Sequence, residues 1–375
     1  MEMNPFQFGG LVDDPYFIDR NKELSDIKTS LAAGQNLMIY APRRYGKTSL
    51  IKKVAREMES DSHPVIYLDF FKIFSKARFV ELYAQAILSK QTGGFEKALK
   101  WFKKKVNGLI PTVSLNQEGQ PVFGIGYLSG KPVSNDILEI LALPSGLFKG
   151  KQVIVIFDEF QEIARLKGES FEKEIRSVIQ EQPRVSYVFM GSKSHMMLDL
   201  FNQKDRAFYQ SAKLYPIGKI PEAEMRKFIR QRFDHSGINI DEPIIDVILN
   251  WSDNIPYYVQ FLSAELYSFC ASSGAVTMND PAQVMELILD RQTDFYTGLL
   301  EQTSSYQKSV LRAISSGFPE IFSMSVSDQF GLSSPSSTQA AIQALIRLGI
   351  IEKLGGNIEF SDPFFKKYLI FRYFI

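Results

Sequence analysis

The chain has 375 residues, 45% of them hydrophobic and 23% charged, an ordinary balance for a globular protein of two to three domains. Lys and Arg number 43 against 42 Asp and Glu, a net charge of +1 that excludes a globally basic nucleic-acid coat or an acidic tail protein, though not a local patch. A single cysteine, Cys270, excludes a disulfide framework and any cysteine-built metal site, and three dispersed histidines (His63, His195, His235) argue against a zinc enzyme.

No run of 18 or more apolar residues is present, so no membrane span is expected, and the opening MEMNPFQFGG has neither a basic nor an apolar leader region. A cytoplasmic protein is expected. Along the first two-thirds, strand-like runs alternate with helical patterns. The strands are Asn36–Tyr40, Val65–Phe70, Val153–Phe157 and Val185–Met190, all short and apolar on both faces, as buried parallel strands are. Thr48 to Glu59 reads as a helix. From about 90 to 150 the rhythm breaks. Phe95, Leu99, Phe102, Val106 and Leu109 share one helical stripe, with Lys97, Lys100, Lys103 and Lys104 on the other faces, and Thr112–Leu115 and Val122–Tyr127 flank a turn at Asn116–Gly119. This stretch is expected to be an insertion packed on the core with a solvated lysine face; the alternative is a basic helix that touches phosphates, the feature that best supports DNA binding.

A helix start at Pro221 opens a helical region that continues to about residue 300. The last 75 residues contain a capped helix from Ser333–Ser337 through Leu348 and a hairpin of Ile350–Leu354 and Asn357–Phe360 turned at Gly355–Gly356. The ending, Tyr368 to Ile375, reads as a helix buried against the lid or the wing, or else as an exposed partner-binding tail. Domain boundaries are expected near 220 and 300.

The most informative stretch is Ala41–Pro42–Arg43–Arg44–Tyr45–Gly46–Lys47–Thr48, a phosphate-binding loop with alanine at its first position. A buried strand enters it and a helix leaves it, which points backbone N–H groups and a helix N-terminus at an anion. Lys47 would reach the β- and γ-phosphates and the Thr48 hydroxyl would hold Mg²⁺. Downstream, Val153–Phe157 ends in Asp158–Glu159, at the strand edge where open α/β sheets bind ligands. Asp158 suits Mg²⁺, and Glu159 would orient the attacking water or take its proton. ATP binding is expected, with hydrolysis to ADP. Ser192, after the next strand, is placed to sense the γ-phosphate. Arg206 is a candidate finger on a neighbouring subunit's nucleotide, although a solvated arginine is the plainer reading.

These residues resemble the prokaryotic ATPase family of the STAND class, signal-transduction relatives of AAA+ ATPases. The resemblance rests on Phe17–Leu24, Ala41–Leu50, Phe157–Ile163 and Asn254–Gln260. It implies an α/β fold: a P-loop NTPase core with a mostly parallel sheet over 1–220, a helical lid over 221–300 and a winged-helix domain over 301–375. It implies that Phe17, Ile18 and Arg20 pack near the adenine, that the loop through Ser49 binds phosphates, and that Pro256 on the lid approaches the nucleotide. Asp19 and Asn254 stand where the family usually has glycine. Asn254 is the milder change, because asparagine tolerates left-handed backbone angles. The expected function is a nucleotide-dependent switch with ATP/ADP and Mg²⁺ and an unidentified protein partner, monomeric with ADP or a nucleotide-dependent oligomer. The alternative is an ATP-regulated DNA-binding protein of the initiator or transposition-helper type. From Gly331 onward there are five bases against three acids, and the candidate recognition helix carries only Arg347, so its charge lends DNA binding little support.

Overall fold

A computed structural model of the chain describes residues 4–18, 20–60, 62–90, 109–115, 121–127, 133–166, 169–318, 320–354 and 356–374. It divides into two compact units, Arg20–Gly218 and a second formed by Met1–Asp19 together with Lys219–Ile375.

The Arg20–Gly218 unit is built on a parallel sheet of β1 (Leu37–Tyr40), β2 (Val65–Asp69), β5 (Val153–Asp158), β6 (Val185–Gly191) and β7 (Lys213–Pro216), in the order β2-β5-β6-β1-β7. Every residue of β5 and β6 is buried. Unbroken apolar runs of this kind belong in a sheet covered on both faces. Helices α1 (Asn21–Ala32), α2 (Lys47–Met58), α3 (Lys76–Leu88), α4 (Val133–Leu147), α5 (Glu169–Ile179) and α6 (Ser194–Asn202) complete the layers. The core is strongly aromatic: the rings of Phe157 and Phe160 stack with centroids 5.9 Å apart, and Phe160 lies 4.8 Å from Phe189.

Three local outcomes depart from the sequence-based expectation. Phe70 was expected to end β2, but the Asp69 carboxylate accepts from the Phe71 amide at 3.0 Å and turns the chain into a short 3₁₀ helix. β7 went unpredicted because it is an edge strand with Lys213, Leu214 and Pro216 exposed, so no buried run announces it. In the 90–150 stretch, α4 is part of the core, burying Ile137, Ile140, Leu141 and Leu143. The expected helical stripe from Phe95 lies outside the described residues, as do its lysines, except that Leu109 opens β3 (Leu109–Leu115) instead of closing a helix. β3 pairs antiparallel with β4 (Pro121–Tyr127), the expected hairpin. Its turn at Asn116–Gly119 lies outside the described residues.

In the second unit, α7 (Glu222–His235), α8 (Glu242–Trp251), α9 (Pro256–Cys270) and α10 (Asp280–Glu301) precede α11 (Ser305–Ser315), α12 (Met324–Phe330), α13 (Pro335–Arg347), β8 (Ile351–Leu354), β9 (Asn357–Phe360) and α14 (Pro363–Tyr368). A π-helical turn at Leu369–Tyr373 follows. Local chemistry sets the boundaries. Ser304 and Gln307 form a reciprocal capping box on α11, and Ser334 caps α13 through the Ser337 amide ahead of Pro335. The segment at Phe6–Phe8 packs onto α7 and α9. Phe6 lies 5.0 Å from Phe233, Phe8 stacks on Phe261 at 4.6 Å, and the Gln7 amide donates to Gln260 Oε1 at 3.0 Å. Among the described residues, no helix is long and apolar enough to cross a membrane.

Candidate nucleotide site

β1 delivers the chain into the loop, and α2 begins at Lys47 with Gly46 as its N-cap. Two residues of the loop take left-handed backbone angles, Arg44 at φ 71° and Gly46 at φ 80°. Glycine adopts such an angle at little cost, whereas arginine pays for it, and strain of this kind gathers at ligand-binding turns. Gly46 has no side-chain oxygen to cap the helix. The first-turn N–H groups, at the positive end of α2, are therefore set for an anion. Pro42 and Tyr45 are buried and shape the loop from inside, the Arg43 and Arg44 side chains are exposed, and Thr48 and Ser49 are half-buried in the first turn of α2.

Lys47 is 5% exposed, and its ammonium lies 3.1 Å from Asp158 Oδ1 and 3.7 Å from Glu159 Oε1. Asp158 ends β5 and also accepts from its neighbour's backbone, the Glu159 N–H at 2.9 Å. Its second oxygen, Oδ2, accepts a hydrogen bond from the Tyr67 hydroxyl, delivered from the adjoining strand β2. Burial first, and then the charge of Asp158, raise the Tyr67 hydroxyl well above the ordinary phenol range, so it serves as a donor and stays protonated. Lys52 lies over the Tyr67 ring at 5.2 Å.

Glu159 holds φ 50°, a second strained non-glycine residue in this cluster. Its Oε2 accepts from Ser192 Oγ at 2.8 Å and from Gln161 Nε2. Gly191, just before Ser192, allows that approach: a Cβ there would collide with Gln161 Oε1 and Met197. The folded chain therefore draws Lys47, Asp158, Glu159 and Ser192 into one group at the C-terminal edge of the sheet, beside the N-terminus of α2.

The remaining candidates are placed differently. The Arg206 Nη2 and Nε reach the two carboxylate oxygens of Glu172 at 2.5 and 3.2 Å, and Glu172 is 1% exposed. Arg206 is thus spent on a buried acid of its own chain. Arg20 is 4% exposed and bonds Glu23 and the carbonyls of Tyr45 and Gly218. Phe17, Ile18 and Pro256 belong to the second unit. There Pro256 opens α9, and Asn254 takes φ 53° while its amide donates to the Ile220 carbonyl at 2.9 Å. The Asp19 position lies outside the described residues. Reading the sequence did not single out Tyr67 or Gln161. A polar hydroxyl inside the run VIYLDF was the available signal for Tyr67.

Comparison with known proteins bears on the family and the fold. The family described as "ATPase domain predominantly from Archaea" matches residues 17–262, and the one described as "Probable winged helix domain" matches 294–370. Two uncharacterised ATP-binding proteins of Methanocaldococcus jannaschii are similar in sequence. MJ1659 is 27% identical over 43% of this chain and 47% of its own, and MJ0147 is 31% identical over 39% and 40%. The chain spans about half or less of the length of these relatives. Among solved structures, the Walker-type ATPase PABY2304 of Pyrococcus abyssi superposes with a TM-score of 0.66 at 17% identity, covering 98% of this chain and 99% of its own. The ORC2 protein of Aeropyrum pernix, solved with ADPNP and ADP, gives 0.55 at 13% identity, covering 96% and 94%. These likenesses establish the fold, an α/β P-loop ATPase core with helical regions and a C-terminal winged helix. With its phosphate loop, acid pair and family match over most of its length, the chain belongs to the ATPase-domain family found predominantly in Archaea.

Proposed function

We propose that the chain is an ATP-binding, slowly hydrolysing molecular switch of the STAND type, acting in the cytoplasm and passing its state to a protein partner through the winged helix. The observation that carries this is the convergence of Lys47, Asp158, Glu159 and Ser192 beside the N-terminus of α2. The donor set suits Mg²⁺, which takes one or two protein oxygens and fills its octahedron with phosphate and water. Thr48 and Asp158 would hold it, and when bound it neutralises charge on the β- and γ-phosphates. Among the described residues, no group of three or more His, Cys, Asp or Glu is gathered to hold a metal.

With nucleotide bound, Lys47 would turn from Asp158 to phosphate oxygens, and the Asp158 carboxylate, held by the Tyr67 hydroxyl and the Glu159 N–H, would be available to the metal. Glu159 takes a proton from water as the water oxygen bonds to the γ-phosphorus, and the bridging oxygen leaves with ADP. Ser192 and Gln161 occupy Glu159 Oε2. These bonds orient Glu159 and leave Oε1, 3.7 Å from the Lys47 ammonium, to receive the proton, and slow turnover suits a device whose output is a conformation. The test is to denature the freshly purified protein and identify the nucleotide released, with Lys47→Ala as control. ADP near one per chain in the wild type and none in the variant supports the switch, and equal affinity in the two rejects the site.

The DNA-regulated reading draws on the winged-helix match. Against it, the exposed positions of α13 include Gln339, Ala340 and Gln343, with Arg347 its one base, and Arg372 already pairs with Asp290 and Glu286. Duplex binding that weakens steeply with salt would restore it.

A further inference from the structure

We infer that Arg20 is a positioning residue that links the phosphate loop to both points where the chain passes between its two units. This rests on the nucleotide-site reading above. One nitrogen, Nη2, donates to the Tyr45 carbonyl at 2.9 Å and to the Gly218 carbonyl at 3.0 Å, while Nη1 pairs with Glu23 at 2.8 Å. The Tyr45 carbonyl belongs to the peptide that leads into Gly46, between the two left-handed residues Arg44 and Gly46. Rotation of that peptide is eased by its glycine, which tolerates a wide range of φ. Gly218 is the last residue of its unit, and Arg20 is the first. One buried guanidinium therefore grips the loop and, through its own backbone and Gly218, both exits of the chain.

Charge-assisted bonds out of water are stiff and directional, and Arg20 retains these partners only while all three hold their places. A phosphate that reorients the Tyr45–Gly46 peptide pulls on Arg20, and Arg20 transmits the pull to Gly218. A lysine at this position keeps the charge and reaches one carbonyl, but its point charge does not reproduce the planar fork.

The test is amide hydrogen exchange on the intact chain, with and without ATP plus Mg²⁺, in the wild type and in Arg20→Lys. In the wild type, nucleotide should slow exchange at least tenfold both in the loop, residues 41–48, and at Gly218 to Ile220. In Arg20→Lys the loop should still be slowed while Gly218 to Ile220 change less than twofold, and nucleotide affinity should fall about tenfold. Loop protection in the wild type without any change at Gly218 to Ile220 overturns the inference, even if the variant does not fold. Equal protection at Gly218 to Ile220 in wild type and variant also overturns it. An absence of loop protection in the wild type is distinct, and refutes the nucleotide-site reading itself.

Discussion

Replacing Arg206 with alanine separates two readings of that residue. In the folded chain its guanidinium grips both oxygens of Glu172, whose side chain is 1% exposed, while Arg206 itself is 25% exposed. Truncating one partner of a fully buried pair costs about 3–5 kcal/mol, because the other charge is stranded out of water. Partial exposure of Arg206 lets solvent offset some of that, which leaves about 2–4 kcal/mol. With a urea dependence of about 2 kcal/mol per molar, the unfolding midpoint of the Arg20–Gly218 unit should fall by about 1–2 M. Adding Glu172→Leu should restore most of the loss, since an apolar pair replaces a buried ion pair at little cost. Urea unfolding followed by far-UV circular dichroism measures this, alongside phosphate release. The reasoning is refuted if the midpoint of Arg206→Ala is unchanged and phosphate release is lost but regained on mixing with Glu159→Gln chains. Only a finger acting on a neighbouring subunit behaves in that way.

Three further outcomes are expected. Tyr67→Phe removes the donor that orients Asp158 while keeping the ring under Lys52. The Mg²⁺ concentration for half-maximal nucleotide binding should rise about tenfold, with metal-free binding unchanged, as measured by titration of a fluorescent nucleotide. Gly191→Ala should cost about 1–3 kcal/mol by overpacking and displace Gln161 from Glu159, so thermal unfolding and turnover should fall together. In the wing, burial and then Glu359, which lies opposite, push the Glu352 carboxyl up to about 7, against an opposing Lys219. Between its ordinary value of 4.5 and about 7, the folded chain holds a proton that the unfolded chain has released, so stability falls as pH rises through that window. Glu352→Gln should flatten the slope in urea midpoints measured from pH 5 to 8.

What the sequence made legible was whatever local pattern controls. β5 and β6 were readable because both faces of each are buried, and the loop-to-α2 passage because its residue types follow from the turn. β7 was not, because an edge strand needs no apolar run. Asp158 and Glu159 stood out as an acid pair, but the Tyr67 hydroxyl that orients Asp158 comes from a strand 91 residues earlier. Arg206 looked solvated because its partner, Glu172, lies 34 residues away on α5. The role of Arg20 was likewise hidden in backbone carbonyls, whose direction no residue letter records. Chemistry carried by residue type could be read, and pairing set by tertiary register could not.

The segment that carries Phe6 and Phe8 has its partners on α7 and α9, so one unit is assembled from residues on both sides of Arg20–Gly218. On the ribosome, the entire Arg20–Gly218 unit emerges between them. At synthesis rates of about 5–20 residues per second, Phe6 and Phe8 wait roughly ten to fifty seconds for those helices. Through that interval the two aromatic rings lack their partners, a target for holding chaperones. A clone that starts at Arg20 would spare the sheet but leave Phe233 and Phe261 uncovered, a recipe for inclusion bodies.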